Sequence, residues 1–314
     1  MKRIMNIALT ALLLLACGNN RAAHKTTADA RPVADTLSSL ELPLPDVPST
    51  LTEPSARAAF IIEHYWEAMD FRDTLRSYNA DFIEQNFANF ISVFPYAAED
   101  AQRRAVATLL RKAEADSTAY VLLTDTAEKY LYDPNSPMLS EDIYILFLEQ
   151  MVDSPILGEY GTIRPRWQLD AARKNRPGMR AADFAYVTRE GKRTTLRETR
   201  SSGDLLLIFY DPDCGHCKEI MTGLWEDEML KEMVSEGEIT VLAVHSGEQR
   251  ELWQSTASQL PSNWNVGYES GLLQENGSYV LRAMPTLYLL DADKKVVLKD
   301  VLPEQFFYYL YSRR

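Results

Sequence analysis

The chain has 314 residues, of which 33 are lysine or arginine and 45 are aspartate or glutamate, so its formal net charge is −12. Hydrophobic residues make up 46% of the sequence, which is enough to bury cores in about two domains. Because the balance is acidic and basic residues do not cluster, we expect no nucleic-acid partner. We attribute the acidity to solubility and not to a cationic substrate.

Residues 1–16 have the pattern of a lipoprotein signal peptide. Lys2 and Arg3 precede an apolar run from Met5 to Ala16, which is shorter than the roughly 20 residues that span a bilayer. The run ends in Leu-Leu-Ala-Cys, which resembles a bacterial lipobox with Cys17 as the lipidated mature N-terminus. We therefore expect a protein that is lipid-anchored in the cell envelope and faces the periplasm. A plain signal peptide or an uncleaved anchor is the alternative.

Residues 17–52 are rich in alanine, threonine, serine, proline and aspartate, which predicts a disordered tether. From residue 53 to 176, apolar residues recur every three or four positions, which predicts a mainly helical domain. The clearest stretches are Phe60–Met69, Ala101–Ala115 and Glu141–Met151. His64, Trp66 and Asp70 are expected to serve the helix or its core and not to bind a metal, since no second cluster of metal ligands accompanies them.

Two runs in this helical region, HYWE at 64–67 and KYLYDPNSPM at 129–138, resemble an uncharacterised domain. That domain precedes thioredoxin-like domains in bacterial envelope lipoproteins. The resemblance covers most of residues 55–175. It implies an architecture but no activity.

Residues 177–314 change to an alternation of strands and helices. Asp183–Leu196 suggests a β-hairpin, and the apolar run Asp204–Tyr210 predicts a buried central strand. The remaining predicted elements are a helix from about 215 to 235, a strand at 238–245, a helix at 248–259, a hairpin formed by 286–290 and 295–298, and a last helix at 303–311. Together they predict an α/β fold with a mixed sheet flanked by helices.

The sequence Cys214-Gly215-His216-Cys217 lies where the buried strand passes into a helix. A thiolate at that position faces unpaired N–H groups and the positive end of the helix dipole, which stabilise it. Cys214 is predicted to be the exposed nucleophile and Cys217 the buried resolving thiol that releases the partner. With Cys17 lipidated, this pair contains both remaining cysteines, so we expect redox chemistry and no further cofactor.

Met284 and Pro285 stand directly before the predicted strand 286–290. In thioredoxin folds a cis-proline at this place lies against the cysteine pair and offers backbone groups to an extended substrate. We therefore expect the two residues to contribute to substrate binding.

The motifs around 182–184, 209–217 and 284–291 together resemble the TlpA-like branch of thioredoxin folds over residues 178–314. The resemblance implies a membrane-tethered enzyme that exchanges disulfides with periplasmic protein thiols and is recycled by an unknown electron donor. Thioredoxin carries a buried carboxylate six residues before its first cysteine, but this chain has Ile208 there. Asp211 and Asp213 would disfavour a thiolate at Cys214, whereas a cationic His216 would favour it.

Three other interpretations of the cysteine pair stay open. Half of a zinc site would need two more ligands, for which His216 and His245 are the candidates in this region. A structural disulfide would close too short a loop to stabilise the chain much. Alternatively, the helical domain is a binding module and the pair is regulatory. Trp225 is predicted to be a core residue.

Overall fold

The computed structural model describes residues 41–313, so the predicted signal peptide, Cys17 and most of the tether lie outside the described residues. From Pro54 to Ala172 the chain is helical, and from Ala185 to Ser312 it forms one β-sheet with helices packed against it. The predicted order, a helical part followed by a mixed α/β part, is therefore confirmed. None of the helices between residues 41 and 313 is long and apolar enough to cross a membrane.

Capped, amphipathic helices build the first part. The side chains of Asn79, Asp116 and Ser140 each accept a hydrogen bond from a first-turn N–H group and thereby begin a helix. The apolar faces of these helices enclose a core rich in aromatic rings, including Phe87, Phe90 and Phe147. The helices within the described part of this region are α1 (Pro54–His64), α2 (Thr74–Ser77), α3 (Ala80–Ser92), α4 (Glu99–Ala113), α5 (Ser117–Leu131), α6 (Glu141–Met151), α7 (Gly158–Gly161) and α8 (Ile163–Ala172).

Two sequence predictions for this region need correction. The apolar pattern from Phe60 to Met69 predicts one continuous helical face, but α1 ends at His64, and Trp66 and Met69 reach the core from the non-helical segment that follows. The tether was expected to extend to residue 52. However, Leu42 is buried and its N–H donates a 2.8 Å hydrogen bond to Asn86 Oδ1, so ordered packing begins about ten residues earlier.

The sheet has seven strands in the order β2-β1-β5-β4-β3-β6-β7. Strands β3, β4 and β5 are parallel, while β1, β2, β6 and β7 run antiparallel to their neighbours. Because β3 lies between β4 and β6, residues 205–210 are all buried, as their apolar run predicts. The strands are β1 (Ala185–Thr188), β2 (Arg193–Thr195), β3 (Asp204–Tyr210), β4 (Ile239–Ser246), β5 (Asn265–Glu269), β6 (Thr286–Leu290) and β7 (Val296–Val301).

The helices of the second part are α9 (Gly215–Glu226), α10 (Glu228–Ser235), α11 (Arg250–Thr256), α12 (Leu272–Glu275) and α13 (Pro303–Ser312). The helix predicted from 215 to 235 is in fact two helices. Asp227 has an extended backbone, and its carboxylate accepts a 2.8 Å hydrogen bond from Leu230 N as the cap of α10. The Asp227 cap therefore separates the two helices where the apolar spacing alone predicts one continuous helix.

The helical part contacts the segment that leads into β6. Lys174 Nζ donates to the Gly277 carbonyl at 2.8 Å, and Asn175 Nδ2 donates to the Ser278 carbonyl at 2.7 Å. Further along, Arg282 and Lys299 form ion pairs with Glu141 at the start of α6. The backbone just before Met284 is thus held by residues of the helical part.

Candidate active site around the cysteine pair

Cys214 is the residue that begins α9. Asp211, just after β3, forms a turn in which its carboxylate accepts from Asp213 N and its carbonyl accepts from Cys214 N. This turn aims the chain into the helix, and Cys214 Sγ accepts a 3.1 Å hydrogen bond from Cys217 N. This bond directs an N–H group of the first helical turn at the sulfur, at the end of the helix where the dipole is positive. Cys214 is partly exposed, as a nucleophile must be.

Cys217 lies one helical turn further and is completely buried. Its burial raises the pKa of the thiol well above its ordinary value, and the neighbouring Cys214 and the charge of Asp211 act in the same direction. Both cysteines are free thiols in this structure. The pair therefore has one accessible sulfur and one shielded sulfur, which is the arrangement that the sequence predicts for attack and resolution.

The segment before β6 faces the cysteines. The peptide bond between Met284 and Pro285 is cis, as expected, and the Met284 carbonyl oxygen lies 4.0 Å from Cys214 Sγ. A chain that reached Cys214 would meet this backbone, so the two sites that the sequence predicts separately are brought together.

His216 is exposed, and its Nδ1 lies 3.8 Å from Glu219 Oε2. Gly215 between it and Cys214 has open space where a Cβ would lie. Asp213 is exposed, whereas Asp211 is half-buried and faces inward. Of these three side chains, only Asp211 lines the same cavity as Cys217. No group of three or more metal-ligating side chains occurs among residues 41–313.

A cavity of about 290 Å³ opens beside Cys217, between α9 and the end of α11. Trp225 forms part of its wall and is 46% exposed, so the prediction that it is a core residue is wrong: α9 is amphipathic, and Trp225 lies at the edge of its apolar face. The lining residues are Tyr210, Asp211, Pro212, Cys217, Lys218, Met221, Thr222, Trp225, Thr256, Gln259 and Leu260.

Sequence reasoning did not identify Tyr210 as a site residue. Its side chain is buried at the base of the cavity and close to Trp253, but neither the hydroxyl nor the indole N–H makes a hydrogen bond of normal geometry. Burial raises the pKa of Tyr210 far above its ordinary value, so the hydroxyl stays neutral. Its position as the last residue of the strand that leads into the cysteine motif could have identified it.

The chain is similar to one protein family and to several solved structures. A family model described as a domain of unknown function (DUF5106) matches residues 16–175. The crystal structure of a thioredoxin-like protein from Bacteroides caccae is 32% identical, with a TM-score of 0.80, and the alignment covers 87% of this chain and 99% of that protein. No curated protein matches this chain.

Shorter solved structures match less than half of the chain. A conserved protein of unknown function from Bacteroides fragilis is 40% identical over 43% of this chain and 98% of its own, with a TM-score of 0.41. A domain of a possible thiol-disulfide isomerase from Cytophaga hutchinsonii is 21% identical over 45% and 95%, with a TM-score of 0.37. The family model and the full-length match to the Bacteroides caccae structure decide the assignment. This chain belongs to the DUF5106 family and is a thioredoxin-like protein, in which an uncharacterised helical domain precedes the thioredoxin fold.

Proposed function

We propose that this protein is a thiol–disulfide oxidoreductase that exchanges disulfides with protein partners through Cys214 and Cys217. The observation that carries the proposal is the asymmetry of the pair. Cys214 is accessible at the start of α9 and accepts a hydrogen bond from Cys217 N, whereas Cys217 is buried behind it. Two thiols in a structural disulfide would need neither the exposure of one nor the shielding of the other.

The reaction follows from this geometry. The Cys214 thiolate attacks one sulfur of a partner disulfide, so that a Cys214–partner bond forms and the second partner sulfur leaves as a thiolate. Cys217 then attacks Cys214, which forms the Cys214–Cys217 disulfide and releases the reduced partner. The backbone at Met284 and Pro285 supports the proposal that an extended partner chain binds alongside Cys214.

In this proposal the protein works at the envelope. Cys17 anchors it by lipid to a membrane, the catalytic part faces the periplasm, and a separate electron donor returns the Cys214–Cys217 disulfide to thiols. The support is the sequence pattern of residues 1–17, together with a single remaining cysteine pair. We favour the reductase or isomerase direction over net oxidation. A cationic His216 would stabilise the Cys214 thiolate and so make the disulfide more oxidising, but the charges of Asp211 and Asp213 would oppose that effect.

Partner trapping tests the proposal. In cells, Cys217→Ala should accumulate mixed disulfides through Cys214, because the resolving thiol is gone, whereas Cys214→Ala should form none. Non-reducing electrophoresis of both variants, with the double variant as the matched control, measures the adducts. Equal adduct levels in the two single variants would contradict the assigned roles.

Turnover separates an enzyme from a binding module. The wild-type protein should reduce insulin disulfides catalytically with a dithiol as electron source, and Cys214→Ala should not. Stoichiometric binding without turnover would instead favour the alternative, a scaffold whose cysteine pair is regulatory.

A further inference from the structure

Resolution by Cys217 requires that its thiol lose a proton, and the structure makes this loss difficult. The side chain is completely buried, and burial disfavours the thiolate. Ile208, which occupies the position of thioredoxin's buried carboxylate, is itself fully buried within β3 and cannot accept a proton. A different group must take the proton.

Asp211 is placed to do so. Both its backbone N–H and its carboxylate act on the Cys217 thiol, the N–H lowering the pKa of that thiol and the carboxylate charge raising it. Asp211 and Cys217 both line the cavity beside α9, whose volume of about 290 Å³ has room for water that would pass a proton between them. Asp211 Oδ1 accepts from Asp213 N, which fixes the carboxylate in the turn.

The other titratable groups of the cavity do not fit this role. Tyr210 is neutral because burial raises its pKa, so it has no basic oxygen to offer. Lys218 contributes an ammonium group, which donates protons. Arg189, whose charge acts on Tyr210, is also a cation and lies outside the cavity lining. Among the described residues that line the cavity, Asp211 is the only carboxylate.

We propose that Asp211 is the proton acceptor for Cys217 in the resolving step, in place of the carboxylate that Ile208 replaces. The inference rests on the proposed disulfide exchange. Asp211 takes the proton of Cys217 as its sulfur bonds to Cys214, the bond between Cys214 and the partner sulfur breaks with its electron pair, and that sulfur leaves as a thiolate. The proton on Asp211 then passes to the departing thiolate, so charge and atoms balance.

Stopped-flow reaction of the reduced protein with dithionitrobenzoate isolates the step. Attack by Cys214 releases one thionitrobenzoate in a bimolecular phase, and attack by Cys217 releases the second in a unimolecular phase. Asp211→Asn should slow only the second phase, on the order of 10²-fold, because general-base assistance is lost. Asparagine keeps an oxygen that can accept from Asp213 N. Because losing the Asp211 charge favours the Cys214 thiolate, a first phase no slower than in wild type would show that the variant is folded.

Electrostatics alone predicts the opposite sign. Since the Asp211 charge raises the pKa of Cys217, neutralising it would favour the thiolate and speed the second phase. The pH profile adds a second criterion: in Asp211→Asn the second phase should rise about tenfold per pH unit across the neutral range, as an unassisted thiol does, and more steeply than in wild type. Asp211→Glu, which restores a carboxylate, should recover part of the rate.

Asp213→Asn is the matched control, because it removes the same charge from the same turn but its side chain is exposed and lies outside the cavity lining. Its second phase should stay within about threefold of wild type, well short of the effect of losing a general base. A second phase in Asp211→Asn that is unchanged, faster, or slowed no more than in Asp213→Asn overturns the inference. Failure to turn over insulin disulfides would count against the proposed function and is measured separately from these phases.

Discussion

Four charged side chains form a balanced cluster where the helical part meets the sheet. Arg282 pairs with Asp300 and lies 3.9 Å from Glu141, while Lys299 Nζ lies 2.5 Å from Glu141 Oε2. The side chains are only 9% to 19% exposed, and the Arg282 guanidinium also lies 4.4 Å from the centroid of the Tyr132 ring. Two cations and two anions leave the cluster neutral, so Arg282→Met would leave one uncompensated buried negative charge.

We expect this substitution to destabilise the protein by about 3 kcal/mol, the low end of the cost of breaking a buried ion pair, because the cluster retains some solvent contact. At a urea dependence of about 3 kcal/mol per molar for a chain of this size, the unfolding midpoint should fall by about 1 M. Asp300→Asn on top of Arg282→Met restores neutrality. It should recover part of the loss, and asparagine tolerates the φ of +50° found at residue 300.

Glu141 gives the same cluster a pH dependence. Burial raises the pKa of Glu141 while Lys299 and Arg282 oppose that rise, so removing Arg282 should raise it further. The folded state then binds more protons than the unfolded state, and stability falls as the pH rises through the folded pKa. Arg282→Met should therefore lose less stability at about pH 5 than at about pH 7.

Urea unfolding followed by circular dichroism measures these effects. Arg176→Met is the control, because it breaks the exposed pair between Arg176 and Asp142 and should cost less than about 0.5 kcal/mol. A loss for Arg282→Met no larger than for Arg176→Met, or a double variant less stable than Arg282→Met alone, would refute the argument that the buried charges compensate one another.

Three further predictions concern the cysteines. In the folded, reduced protein at neutral pH, iodoacetamide should alkylate Cys214 but not Cys217, because burial and a raised pKa protect the Cys217 thiol. Mass spectrometry that finds both cysteines modified at similar rates would contradict this. We expect an intermediate potential, between the roughly −180 mV of protein disulfide isomerase and the roughly −270 mV of thioredoxin, and His216→Pro should make the pair more reducing. Equilibration with glutathione buffers measures the potential, and an unchanged value would show that the histidine has no such effect. Cys17→Ala should move the protein out of the membrane fraction, and a variant that stays entirely in the membrane would exclude the lipid anchor.

Much of the site could be predicted because its signals are local. Cys214 and Cys217 stand between a continuous apolar strand and a helix, and both their exposed and buried positions follow from that placement. Strand β5 was missed for an equally physical reason. It contains Gly267, which disfavours a strand. The ring of Tyr186 from the neighbouring β1 fills the space where a side chain at residue 267 would lie. Such compensation comes from a residue 81 positions away and leaves no local pattern.

The inward direction of Asp211 was equally hidden from the sequence. Asp211 and Asp213 look equivalent there, as two carboxylates before the first cysteine, and both were expected to act on Cys214. The turn separates them: Asp213 is exposed, whereas Asp211 faces the cavity of Cys217. Two aspartates two residues apart thus acquire different neighbours from a single turn.

The position of the Met284 backbone, which we propose faces the substrate, depends on both parts of the molecule. The Met284 carbonyl that lies against Cys214 comes two residues after Arg282, whose ion pairs reach Glu141 of the helical part. Upstream, Lys174 and Asn175 hold the carbonyls of residues 277 and 278. Because backbone groups bind a partner best when they are already in place, the helical part would assist the proposed exchange by fixing this segment. That role would belong to the DUF5106 domain even though the cysteines of the proposed reaction lie outside it.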